Sequence, residues 1–406
     1  MALSSDLFIR NDDGTLRLPA EVHPLPNLLE MQPEEILRWF THSQRKDFEA
    51  AIARMTAKHH PLKGALGFAH LSAEEGERLA RRITPERLAG LFRELHDHVM
   101  DHPVWRHPFF LRIFRAEFTL PQARLFATHY FNQIKNTRQC VALACGRFSS
   151  LTPPPFGILS ERASELTQIV LAQLLADEYG VGTASLEEYP ELERIFNSTT
   201  HIVMYRWLLE GLEVPFGEQD VPLLPEVADN ILIQRLVAGH PDFTPLEALA
   251  SVGLGMEWGV PEFFSLLLGG VIRFAEREQH PLTRKHLFVF IAHVQYDVLH
   301  AIAVMLVTTL LIEEEAEKQA VEQIKNAVNM LMTGRYAMMS GLYRAVFQQP
   351  CVAPGEAGLA QHYRVHDPRI HHALLAARRQ LGASGLVTEA KYRDSSATPF
   401  DYWLPA

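Results

Sequence analysis

Three residues able to bind a metal fall in register within one stretch of this 406-residue chain, His293-Val-Gln-Tyr-Asp297-Val-Leu-His300. At positions i, i+4 and i+7, His293, Asp297 and His300 share a narrow stripe of an α-helix. Apolar residues fall all round the surrounding segment 286–312, among them Leu287, Phe288, Ile291, Val294, Val298, Leu299 and Ile302, so the pattern predicts a buried helix. A carboxylate in such a helix must be paired, because an isolated charge in an apolar core is heavily penalised or titrates until it is neutral. Two imidazoles and a carboxylate converging on one point suit a borderline-hard metal such as iron or manganese. The structural alternative is a buried Asp–His hydrogen-bonded pair, with the second histidine incidental.

A metal centre needs ligands from other helices, and two carboxylates offer themselves. Glu257 is the only charge in Val252-Gly-Leu-Gly-Met-Glu257-Trp-Gly-Val-Pro261, and Glu178 closes the run Leu171-Ala-Gln-Leu-Leu-Ala-Asp-Glu178-Tyr-Gly. A carboxylate in the last turn of a helix opposes the helix dipole unless a cation compensates it. Taken singly, each reads as a solvated helix-end acid. Taken with Asp297, they would carry three negative charges toward two ferrous ions, in the manner of carboxylate-bridged helical bundles.

Helices must position these residues, and helical periodicity dominates the chain. Residues 1–31, rich in Pro and Asn, are expected to meander over the surface. Start signals are plain at Gln32-Pro33, Ser72-Ala-Glu-Glu75, Thr84-Pro85, Thr119-Leu-Pro121 and Thr244-Pro245-Leu-Glu247. They predict helices over 33–58, from 72, from 84 toward His98, from 119 to about Phe148, and from 244 to Trp258. Further helices are predicted over 109–116, 160–178, 190–212, 261–277 and 370–381. Residues 286–325 read as one long helix or one bent near Thr308, followed by another through Tyr343. Gly269-Gly270 inside a helix marks close packing.

The stretch from about Pro103 to Thr309, half the chain, resembles the haem-oxygenase-like di-iron oxidases and oxygenases, a superfamily sharing its fold with pyrroloquinoline-quinone synthase and thiaminase II. The resemblance is carried by His107-Pro-Phe-Phe110, Leu174-Leu-Ala-Asp-Glu178-Tyr-Gly180, Gly255-Met-Glu257 with Pro261, and His293-x3-Asp297-x2-His300. It implies an all-α, haem-oxygenase-like bundle in which Glu178, Glu257, His293, Asp297 and His300 bind Fe(II), two ions per chain, with O2 as co-substrate. His293, Asp297 and Glu257 would hold one iron, and Glu178 and His300, helped by Glu257, the other; Glu178, Glu257 and Asp297 would be the catalytic carboxylates. The family's remaining histidine follows the Asp-Glu-x-Gly turn, where this chain has Leu186-Glu-Glu188-Tyr189. Tyr189 or Glu188 would then ligate, or His129 or His201 would reach in, or one metal position would be empty. The implied reaction is oxidation of a small amino-acid-like or fatty-acid-like substrate, by N-oxygenation or oxidative C–C cleavage, in natural-product biosynthesis. A metal-free or mono-iron member of the same fold, acting as a cofactorless oxidase or hydrolase, and a non-catalytic helical binding protein are the alternatives.

Composition narrows the field further. The net charge of −10 without a long basic run argues against nucleic acid as a partner. Three cysteines without a CxxC pair suit a reducing cytoplasm. No basic n-region precedes an apolar stretch at the N-terminus, and the most apolar run, Ala301 to Ile312, is too short to span a bilayer, so a cytoplasmic protein without a membrane partner is expected. A homodimer is compatible with the fold. His98, His102 and His107, like His371 and His372, read as solvated; Tyr130, Phe131, Tyr205 and Trp207 read as core aromatics or cavity lining; neither Cys140 nor Cys145 has an activating neighbour in sequence. The organisation expected is an N-terminal helical extension over 1–94, the bundle over 95–349 and a tail over 350–406 with one helix.

Overall fold

A computed structural model describes residues 7–56, 71–148, 158–180, 199–351, 363–388 and 392–401. The chain is all-α. Its extended structure among the described residues amounts to a hairpin, β1 (Ile9–Arg10) with β2 (Leu16–Arg17), and an isolated bridge between Leu223 and Val387. The helices run α1 (Pro33–Thr56), α2 (Ala73–Arg82), α3 (Pro85–Met100), α4 (Pro108–Phe114), α5 (Leu120–Cys145), α6 (Ile158–Glu178) and α7 (His201–Gly211). Then follow α8 (Pro225–Gly239), α9 (Pro245–Ala250), α10 (Val260–Glu278), α11 (Phe288–Leu311), α12 (Glu317–Phe347) and α13 (Pro368–Ala383).

Local capping chemistry explains why the starts stand where the sequence puts them. Ser72 and Glu75 form a reciprocal capping box, as do Thr244 and Glu247, and Thr84 accepts from the Arg87 amide with Pro85 behind it. Interior breaks were harder to foresee. The helix expected to reach Trp258 ends as α-helix at Ala250 and continues through Ser251–Glu257 as a π-helix. The long helix expected from residue 286 breaks at Ile312, where the backbone is extended. The Arg82 and Arg87 guanidinium groups donate to the carbonyls of Leu310 and Ile312, supplying partners that the broken helix no longer provides.

Helix α11 lies at the centre, packed against α6, α7, α10 and the π segment, while α12 covers the other side of the π segment and α8. It is not buried all round, as its composition suggested: Tyr296 and Leu299 are 60% and 68% exposed, whereas His293 and Asp297 face inward. Its neighbours cover one side only. Two helical stretches, Pro245–Glu278 and Phe288–Leu311, are long and apolar enough to cross a membrane, but most of each is buried as core. Gly270 does mark close packing, since a Cβ there would stand 2.1 Å from the Ile113 carbonyl oxygen on α4.

Residues 7–31 do not meander freely. Leu18, Val22 and Leu28 are buried, and the His23 ring, also buried, meets the Ser265 hydroxyl of α10 at 2.8 Å. His98, His102 and His107 are buried as well, against the expectation of solvated loop residues. The Nδ1 atoms of His102 and His107 accept from the Val104 and Phe109 amides, so both rings cap short helices, a role open to any side chain with a near acceptor. His372 is exposed and His371 half-buried. One hydrophobic cluster runs from Leu7 to Phe400, and α3 crosses residue 94 without a break.

Candidate metal centre

Four elements bring six potential ligands together. Helix α6 supplies Glu178 from its last turn, α7 supplies His201 from its first, the π segment supplies Glu257 as its final residue, and α11 supplies His293, Asp297 and His300. The π-helix carries Glu257 between α11 and α12 because two glycines let its backbone approach both. A Cβ on Gly253 would lie 1.9 Å from the Val304 side chain of α11, and one on Gly255 2.6 Å from Leu331 of α12.

The donors form two groups, Glu178 with His201 and His293, and Glu257 with Asp297 and His300, each with one ligand atom per residue all within 4.8 Å of one another. Glu178, Glu257, His293 and Asp297 are buried. His201 Nδ1 lies 3.1 Å from a Glu178 oxygen, and the His201 and His293 rings are 4.4 Å apart. The partition differs from the expected one. His293 joins Glu178 and His201 rather than Asp297, and His300 joins Asp297 and Glu257 rather than Glu178.

Two hydrogen bonds fix ring orientation. His293 Nδ1–H donates to the Val289 carbonyl at 2.6 Å, which leaves Nε2 free as a ligand. His300 Nε2–H donates to Asp177 at 2.8 Å, turning Nδ1 toward Asp297 at 3.7 Å. Asp177, the residue before Glu178, was not singled out from sequence; its signal was a second acid beside the first.

The electrostatics of the cluster work against several buried charges at once. Burial first, then Glu178, pushes Glu257 up to about 8. Burial, then Glu257 and Glu178, raises Asp297 well above the usual carboxylate range. The Asp297 Oδ2 atom is buried without any hydrogen-bond partner. Burial opposes charging of His201, but Glu178, with Glu257 and Asp177, outweighs it and raises its pKa. Burial, then His201, lowers His293 well below 6.5 and keeps it neutral, the form that ligates a metal. No lysine or arginine forms an ion pair with Glu178, Glu257 or Asp297 among the described residues. Three carboxylates and three imidazoles, one carboxylate oxygen unsatisfied, fit two divalent ions of the iron or manganese class.

His201 is the third imidazole that the fold brings to the cluster. Tyr189 and Glu188 lie outside the described residues. His129 is buried on α5, its Nδ1 without a partner, and belongs to neither donor group. Cys140 is buried and burial pushes its thiol up to about 12, so no thiolate nucleophile stands there. Tyr130, Phe131 and Tyr205 are core residues, with Phe131 and Tyr205 stacked at 5.2 Å. Trp207 borders a surface groove of about 530 Å³ with Arg206 and Phe216.

No family model and no curated protein matches the chain. Among solved structures, a TenA homolog from Pseudomonas syringae pv. tomato str. DC3000 is similar over 65% of this chain and 93% of that chain, at 12% identity and a TM-score of 0.43.

Proposed function

We propose that this chain is a non-haem, iron-dependent oxidoreductase of the haem-oxygenase-like kind, which uses O2 to oxidise a small organic substrate. The observation that supports it best is the six-donor cluster of Glu178, Glu257, Asp297, His201, His293 and His300, four of them buried and two half-buried, with no lysine or arginine ion-paired to its carboxylates among the described residues. Two ferrous ions held there would supply the electrons that O2 takes up as the substrate is oxidised. The protein's own part is preparation. Val289 and Asp177 set the free nitrogen of His293 and His300, so that neither ring must reorient when an ion arrives. Burial biases Glu257 and Asp297 toward their protonated forms in the metal-free protein, so metal binding is coupled to proton release. Burial of the cluster excludes bulk water from the reacting atoms.

Anaerobic Fe(II) loading of chelator-stripped protein, with iron quantified per chain, tests the reading. The expected result is close to two irons per chain and rapid O2 consumption on mixing. Iron that stays near zero, unaffected by His293→Ala, overturns it. A stoichiometry near one, insensitive to His201→Ala, leaves a mono-iron enzyme instead.

A further inference from the structure

Buried polar atoms without a hydrogen-bond partner gather where α1 and α3 meet the start of α10: both amide atoms of Gln44, Nε2 of His96 and both carboxyl oxygens of Glu262. All three side chains are fully buried. Helix pairing brings them together. Phe48 of α1 stacks on Phe92 of α3 and Arg45 forms an ion pair with Asp97, so the two helices run antiparallel and Gln44 falls opposite His96. Gln44 also lies near enough to Glu262 to act on its carboxyl group. His96 Nδ1 accepts from the Trp258 indole N–H at 3.1 Å, which puts the imidazole proton on Nε2. Helix α1 is the outer layer here, since Arg38, His42, Lys46 and Glu49 on its other face are exposed.

A carboxyl group in this place is tolerated far better as the acid than as the anion. Burial pushes Glu262 up to about 7, against the lowering effect of its own amide and of Gln44, and no charged side chain contributes. Arg45, paired with Asp97 toward the surface, acts on His96 rather than on Glu262, and burial with Arg45 keeps His96 neutral. From the N-terminal segment, His23 is engaged by the Ser265 hydroxyl one turn further along α10. The other helices against α10 present Phe110 to Phe263, and Phe290 with the neutral His293 to Phe264. Protonated, Glu262 can donate to the Gln44 side-chain oxygen across the contact between α1 and α10. Ionised, it is an uncompensated charge in that contact.

We propose that Glu262 is a proton-operated latch for the N-terminal helix. With its proton it seats α1 on α10 through Gln44, and when the proton leaves for solvent that seat weakens, so rising pH loosens the N-terminal layer. The inference is independent of the metal centre. Its direction follows from where the proton is held. With α1 seated, the carboxyl keeps its proton up to about pH 7; with α1 lifted, it meets water and gives the proton up near 4.5. Opening is therefore hardest below pH 4.5 and becomes easier until about 7.

Hydrogen exchange of the full chain, followed by mass spectrometry from pH 5.5 to 8.5 and corrected for the intrinsic pH dependence of amide exchange, tests this. The opening equilibrium of peptides from α1 is expected to rise at least about 10-fold between pH 5.5 and 8, while peptides from α8 and α12 stay protected. Glu262→Gln cannot ionise, so it is expected to abolish the rise and keep α1 seated at every pH. Gln44→Leu removes the neighbour that favours the charged form, so the rise is expected to move to higher pH; it serves if the glutamine variant does not fold, as judged by circular dichroism. Protection of α1 that does not change with pH, a rise of equal size in α8 and α12, or a wild-type profile in either folded variant overturns the proposal.

Discussion

His201 and His129 make the contrast at the scale of single residues. Both are histidines largely withdrawn from water, and sequence reasoning could not choose between them. His201 Nδ1 meets Glu178 at 3.1 Å, whereas His129 belongs to neither donor group. His201→Ala is therefore expected to lower Fe(II) affinity at least about 10-fold, as loss of a ligand does, and His129→Ala to leave it unchanged. Equilibrium dialysis against graded Fe(II) under nitrogen distinguishes them. Glu257 carries a second expectation. Its pKa rises from an ordinary 4.5 to about 8, so the folded metal-free protein keeps a proton that the unfolded chain gives up above about 4.5. The stability this contributes is complete below 4.5 and disappears as pH rises through 8. Chelator-treated protein should lose on the order of a few kcal/mol between pH 5 and 8.5, and Glu257→Gln should flatten that slope. Urea unfolding at several pH values reads it; a slope that is identical in the variant would refute the assignment.

Among the elements, the π segment Ser251–Glu257 does the most positioning. A helix drawn straight to Trp258 would place Glu257 on a different azimuth, and no propensity distinguishes the two courses, because the wider turn is stabilised by what packs beside it. Gly253 permits that packing, with Val304 where its Cβ would be. Gly253→Ala should destabilise the protein by about 1–3 kcal/mol and shift Glu257 enough to weaken metal binding, since Val304 and the alanine methyl cannot share the space. Thermal unfolding with iron titration on one sample checks both halves. Start signals were legible because Ser72, Thr84 and Thr244 each accept from the amide three residues ahead. The end of α11 was not, because Arg82 and Arg87 reach it from more than two hundred residues away.

For the whole molecule, the N-terminal helix is tied to the candidate metal site through aromatic packing. Phe48 of α1 stacks on Phe92 of α3 at 4.1 Å; Phe92 meets Trp258 at 5.6 Å; and Trp258 follows Glu257 and donates its indole N–H to His96. Phe48→Ala should cost about 3–5 kcal/mol, more than a helix packed loosely on the outside could lose. A loss below about 1 kcal/mol in urea unfolding would mean that α1 is an appendage. The other end is fastened differently. Arg378 of α13 forms a buried pair with Asp229 of α8, with the Tyr392 hydroxyl donating to the same carboxylate at 2.8 Å. Arg378→Ala should cost about 3–5 kcal/mol by stranding that acid, whereas Fe(II) stoichiometry should not change.

What the sequence determined alone was local: the all-α class, most helix starts, and the register that puts His293, Asp297 and His300 on one stripe of α11. Each rests on period or on contacts a few residues long, which adjacent residues suffice to specify. Tertiary structure decided which donors share a group, that His201 joins them, and that Asp177 turns the His300 ring. Those facts depend on how α6, α7, α11, α12 and the π segment pack in space. The hydrogen bond between His300 and Asp177 joins residues 123 positions apart, so no local pattern in the chain specifies it.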